Sequence, residues 1–268
     1  MLNQILNAAP LFLLIAARCF AMLLTLPLFS MQSVSRVAKI AFAGYLAYLI
    51  LPSAYGSYDQ LIGTYQVFTL EYILLLAGEV LIGVIIGFYI SILFAAFSTA
   101  GQFFSFQMGL SAAEAYDALS QVENPLMGQY LNLIAMILFL QVDAFQHLFL
   151  GGVISSFQSF NAMSLVLAET QNTLLTFLLK GLSGLFFDAF MIALPMVGTF
   201  FIVAVTMGIL SKAAPQMNLL SEGIPLTMLL GFLLLSLCLP YMCNLFLRLF
   251  DSAFYSLKTL FETVGGFS

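Results

Sequence analysis

Charge is what this sequence lacks. Only 7% of its 268 residues are Asp, Glu, Lys or Arg, where a soluble domain carries about 25%. Hydrophobic residues make up 62%, and the mean hydropathy is +1.08. That balance excludes an ordinary soluble domain and points to an integral membrane protein. The seven basic residues are scattered and the net charge is −5, so no basic patch exists to bind nucleic acid. Histidine occurs once, which excludes most His-based triads and zinc sites. There is no Gly-x-Ser-x-Gly, no His-Glu-x-x-His and no phosphate-binding Gly-rich Lys loop. No enzyme, metal site or cofactor is therefore expected. Cysteine is scarce too. Cys19, Cys238 and Cys243 are odd in number and fit no zinc or redox spacing, so they read as small buried hydrophobes. The N-terminus has no positive region, and its apolar run continues past Arg18. A retained helix is expected there rather than a cleaved signal peptide.

What the chain has is long apolar runs. Several exceed the roughly 18 residues that mark a spanning helix, and they do not alternate as barrel strands do. An all-α membrane protein of about six long, partly broken helices follows. The segments are 5–29, 40–51, 72–100, 126–150, 174–210 and 224–250. A basic hinge with Arg36 and Lys39 occupies 30–39, and a polar loop 52–71. Residues 151–173 leave room for a short amphipathic helix, and 251–268 form an amphipathic tail. The third and fifth segments are longer than a membrane needs, and Pro195 and Gly198 interrupt the fifth. Arg36, Lys39 and Lys212 vote for one orientation and Arg248 and Lys258 for the other, so charge bias does not settle topology. Overlong helices and polar breaks predict a surface covered largely by partner proteins.

Two breaks and three acids in apolar segments stand out. Residues 101–125 mix aromatics (Phe103, Phe104, Phe106, Tyr116), amides and acids (Glu114, Asp117, Glu123) without a single Lys or Arg. Irregular backbone cannot face lipid, so a broken element packed against protein is expected. The second break, 211–223, turns at Pro215, with Pro225 opening the next helix. Lys212 is placed to bond the carbonyls left free before it. Glu79 lies inside the third segment, where a carboxylate costs roughly 2.5–3.5 kcal/mol. Glu79, Gly83 and Gly87 share one helix face, and Gly83 with Gly87 makes a ridge for close helix packing. Either Glu79 is hydrogen-bonded across a buried contact, or it is a proton or ion site. Asp143 and His147 are spaced to share a face near the end of the fourth segment, as a helix-end pair or a pH-sensitive one. Asp188 precedes Pro195 in the fifth, where packing or a cavity would explain it equally.

The run Ser-Lys-Ala-Ala-Pro-Gln-Met-Asn at 211–218 resembles the signature of the FliR family of flagellar biosynthetic proteins. The run Gly-Gln-Phe-Phe-Ser-Phe-Gln-Met-Gly at 101–109 is similar to the same family's Gly-Gln…Gln-Met-Gly stretch. Size, segment order and motif positions agree over essentially the whole chain. The resemblance implies a single membrane-embedded domain, its N-terminal part similar to FliP and its C-terminal part to FliQ, without an FlhB-like soluble extension. It implies stacked helical hairpins in a hetero-oligomeric type III export gate, with one copy of this chain among FliP and FliQ homologues. An FlhB homologue wraps its base, and unfolded flagellar proteins pass through. The gate sits in the bacterial inner membrane at the flagellar basal body, raised toward the periplasm.

The resemblance also implies residue roles. A plug loop falls on Phe106, Met108, Gly109, Leu110, Ser111, Glu114, Tyr116 and Asp117. Lys212, Pro215, Gln216, Met217 and Asn218 form the signature turn. From their shared face and small-residue spacing, Glu79, Gly83 and Gly87 are expected to pack against neighbouring subunits. The plug departs from the family pattern: Ala112, Ala113 and Ala115 stand where Phe is common, and Asp117-Ala118 replaces Asp-Pro. Tyr116 or Phe106 is then the aromatic stopper. The homologous subunit of injectisome secretion is an alternative, although its turn usually lacks the Ala-Ala pair. A secondary transporter is the rival of another class. It calls for matched breaks in two repeats, and the two breaks differ in length and composition.

Overall fold

The computed structural model describes residues 2–30, 34–62, 69–110, 126–159, 162, 165, 167–213 and 219–265. All elements among them are helical. They are α1 (Leu2–Thr25), α2 (Pro27–Ser30), α3 (Arg36–Ile62), α4 (Leu70–Gln107), α5 (Leu126–Gln141) and the short α6 (Ala144–Gln146). A π-helical stretch, His147–Val153, leads into α7 (Ile154–Ser159). Two long helices complete the chain, α8 (Ala168–Ala213) and α9 (Leu219–Gly265). Four helices are long and apolar enough to cross a membrane, over Arg36–Ala54, Leu70–Gln107, Ala168–Ala213 and Glu222–Val264.

Helices run further than the polar punctuation predicts. Residues 53–62, expected in a loop, continue α3 through Pro52. Proline there forfeits one backbone bond and the turns beyond it keep theirs. Ser35 starts this helix, its Oγ accepting the Ala38 N–H at 3.2 Å, so Arg36 and Lys39 belong to the first turn and not to a hinge. Pro195 and Gly198 do not interrupt α8, which keeps 46 residues. Leaving the helix inside an apolar run strands backbone groups where no water can satisfy them. The second break shrinks in the same way. Ser211, Lys212 and Ala213 close α8, and α9 begins at Leu219, which puts Pro225 in its second turn. Residues 251–265 of the amphipathic tail are the last part of α9 and form no separate element.

One break is sharper than expected. Asp143 adopts the left-handed conformation (φ 53°) after α5 ends at Gln141. Asp143 and His147 therefore do not share a face of one long helix. They are joined through the backbone, the His147 N–H donating to the Asp143 carbonyl at 3.0 Å.

The chain divides into two compact units. The first holds residues 1–92, 143–181 and 250–268. In it α1 packs against α3, Phe42 stacks on Phe29 and meets Phe149 edge-on, and α4 lies on α1 through its glycines. The second unit holds 93–142 and 182–249. Its core is aromatic: Phe94 meets Phe139 at 5.5 Å and Phe97 meets Phe246 at 3.9 Å between ring centroids. Helix α4 also approaches α5 closely, since a Cβ at Gly101 would come within 2.5 Å of the Met127 carbonyl. Gly101 thus serves helix contact, and the helix continues past it to Gln107.

Candidate functional site

The first unit is organised around a buried ion pair. Arg18 of α1 and Glu79 of α4 are 1% and 0% exposed. The Arg18 Nε and Nη2 both reach Glu79 Oε2, at 2.6 and 2.5 Å. The second carboxylate oxygen accepts the Ala162 N–H at 3.2 Å. Arg18 Nη1 donates to Ser156 Oγ at 2.9 Å, and that hydroxyl donates to the Val153 carbonyl at 2.6 Å. The Phe157 ring lies under the guanidinium, 3.9 Å from Cζ, a cation–π contact that desolvation strengthens. Two opposite charges, two bonded carboxylate oxygens and an aromatic floor are what an intramembrane ion pair requires.

Small residues make the pair reachable. A Cβ at Gly83 would fall on the Arg18 carbonyl oxygen and 3.0 Å from the Ala21 Cβ. One at Gly87 would fall on the Thr25 hydroxyl and 2.8 Å from the Met22 carbonyl. One at Gly78 would come within 2.6 Å of the Ala162 Cβ, the residue whose amide caps Glu79. The ridge expected to receive a neighbouring subunit is therefore covered by the chain's own α1, and Glu79 is bonded within the chain. Glu79, Gly83 and Gly87, expected at a subunit interface, thus contact α1 of the same chain. This also selects the buried-contact reading of Glu79 over an open ion site. Arg18 had been visible as a lone charge in an apolar segment. An unmatched charge of opposite sign in another apolar segment was the signal that would have paired them. Ser156 and Ala162 left no such trace.

In the second unit, the end of α4 is pinned to α9. Met108 is fully buried and sits in a notch at Gly231, where a Cβ would meet Met108 Cγ at 2.5 Å and Cε at 2.6 Å. Thr227 Oγ1 donates to the Ile224 carbonyl at 2.9 Å and lies 3.4 Å from the Met108 carbonyl. Gly109 has φ +78°, a conformation open to glycine at little cost, and it turns the chain off the helix beside Ile224. Phe106 points away, 73% exposed, while Phe104 is buried. Leu110 is half-buried. The remaining plug residues Ser111, Glu114, Tyr116 and Asp117 lie outside the described residues, as do Pro215, Gln216, Met217 and Asn218 of the signature turn. Lys212 is exposed at the end of α8.

The two longest helices are the least covered. In the most apolar window of α4, 61% of residues are buried, against 22% for α8 and 17% for the last span, in α9. Phe186, Phe187, Phe201, Ile202 and Ile209 of α8 are all exposed.

Comparison with known proteins adds an independent line. The model of a family described as bacterial export proteins, family 1, matches residues 9–253. The chain is 30% identical over 264 residues to a flagellar biosynthetic protein FliR of Bacillus subtilis, covering 98% of this chain and 99% of that one. It is 28% identical over 237 residues to a protein of the same name from Escherichia coli, covering 88% and 87%. A third, from Buchnera aphidicola of Acyrthosiphon pisum, is 26% identical over 229 residues and covers 85% of each chain.

Proposed function

Because the chain belongs to the bacterial export proteins, family 1, and within them to the FliR flagellar biosynthetic proteins, we propose that it is a non-enzymatic subunit of the flagellar type III export gate. One copy assembles with FliP and FliQ homologues, an FlhB homologue binds at the base, and unfolded flagellar proteins are the cargo. The site of assembly is the bacterial inner membrane at the flagellar basal body.

The observation that carries the reading is the combination of end-to-end likeness with uncovered apolar length. Helices α8 and α9 have 46 and 47 residues, about 70 Å each at 1.5 Å per residue. A hydrocarbon core is about 30 Å thick. Residues 181–210 carry one charge, Asp188, over about 45 Å. Lipid can cover only part of that length, and neighbouring protein subunits supply the rest. The plug belongs to the same proposal. Met108 and Gly109 anchor the near end of the stretch, continuing in sequence to Asp117, that seals the channel, with Phe106 or Tyr116 as stopper.

Native mass spectrometry of the chain expressed with and without FliP and FliQ homologues from the same source tests the assembly. One copy of this chain in a larger hetero-oligomer is the expected mass. A stable monomer or homodimer that ignores both partners refutes the gate reading and favours a secondary transporter.

A further inference from the structure

A groove of about 520 Å³ runs between the start of α8 and the end of α9, within the first unit. Its lining is unlike the rest of the chain. Six of its lining residues carry hydroxyls, Thr173, Ser256, Thr259 and Thr263 among them, and Asn172 and Lys180 line it too. These four hydroxyls already donate to their own helices. Thr173 bonds the Glu169 carbonyl at 2.8 Å, Ser256 that of Ser252 at 2.9 Å, Thr259 that of Tyr255 at 2.9 Å and Thr263 that of Thr259 at 2.7 Å. A hydroxyl whose proton is used still offers oxygen lone pairs. On its α9 side, at Ser256, Thr259 and Thr263, the groove therefore presents a row of acceptors, and on its α8 side one cation, Lys180. Its complement is a ligand carrying an anion and, a few bonds away, a group rich in N–H donors.

The level of the groove names the source. Beyond Lys180 the next charge along α8 is Asp188, and α9 has none from Ile224 to Leu247. Coming from the apolar middle of each helix, the first charges are Asp188 on α8 and Arg248 on α9, each about two turns before the groove, which puts the groove on the headgroup side of the apolar span, where lysines extend toward phosphates. The apolar part of the lining, Phe177 and Leu260, suits the first methylenes of an acyl chain. Phe177 is held there by Tyr89, 4.3 Å away between ring centroids, and Tyr89 in turn needs Gly181, where a Cβ would approach its ring to 3.1 Å.

We propose that this groove binds a phosphatidylethanolamine headgroup, Lys180 taking the phosphate and the α9 hydroxyl oxygens accepting from the primary ammonium. Choline lipids supply the same phosphate but no N–H. The test is native mass spectrometry of the delipidated full chain, titrated with dioleoylphosphatidylethanolamine and with dioleoylphosphatidylcholine. Ethanolamine-lipid adducts should be favoured roughly tenfold, the size of one charge-assisted hydrogen bond. Lys180→Ala should weaken both lipids by a similar factor. Thr259→Val, which keeps the shape and removes an acceptor, should weaken the ethanolamine lipid alone. Both residues are exposed, so both variants should fold. Equal binding of the two lipids, or full binding by Lys180→Ala, overturns the proposal. So does displacement of the lipid when partner subunits are co-expressed, since the groove is then a protein contact. Glycerophosphoethanolamine, which lacks acyl chains, should compete poorly. Competition as strong as the lipid's would make the site one for a free headgroup and overturn the membrane assignment.

Discussion

At the scale of single residues, the Arg18–Glu79 pair shows how a buried charge is tolerated. Removing one partner leaves the other uncompensated, a loss of about 3–5 kcal/mol in buried pairs. Arg18→Met and Glu79→Gln should each lower thermal stability of the full chain in detergent by that order. The double variant Arg18→Met/Glu79→Met should recover most of it, because no charge is then stranded. A double variant as unstable as the singles would show that the remaining hydrogen bonds, to Ser156 and Ala162, dominate. Gly83 makes a second residue-scale prediction. A leucine there collides with the backbone of α1, so Gly83→Leu should reduce the yield of folded chain even when no partner is expressed. Normal yield alone, with loss only of the hetero-oligomer, would return this ridge to the subunit interface.

At the scale of elements, glycine and methionine decide where α4 ends and what it touches. The Gly231 notch holds Met108 as a small residue in one helix holds a long side chain in another, and the flexible thioether fills it without strain. Gly231→Leu should expel Met108 and loosen the turn at Gly109. On the proposed function, reconstituted complexes of this variant should conduct ions when the wild type does not. Closed channels at wild-type conductance would separate the notch from sealing. The long helices have their own logic. Proline inside α3, α8 and α9 costs one bond each, while ending the helix would expose several polar backbone groups to an apolar surrounding. Polar residues thus proved poor markers of helix ends. A left-handed Asp143 marked one, and composition did not announce it.

At the scale of the whole molecule, the two units are each assembled from pieces far apart in sequence, and α4, α8 and α9 contribute to both. The apolar run of α8, residues 189–210, and that of α9, residues 224–247, are left largely exposed, and on the proposed function the assembly prediction belongs here. Deleting residues 111–117 should leave the hetero-oligomer intact by native mass spectrometry and make reconstituted membranes leaky to ions. Unchanged conductance would remove the plug role from this loop while leaving subunit membership untouched.

Composition and run length by themselves determined that the chain is all-α and membrane-embedded, because hydrocarbon admits so few backbone solutions. Two short motifs were enough to name the family, since Pro, Gly and amide residues at fixed positions are rare in apolar chains. The glycine ridge of α4 was legible as a contact surface, for its spacing is helical. Only the tertiary structure decided what covers it, because helical spacing says which residues share a face and nothing about which helix arrives there. Arg18 and Glu79, 61 positions apart, meet through the fold of α1 against α4. The hydroxyls of the groove are set side by side by two helices from different parts of the chain, an arrangement no local pattern records.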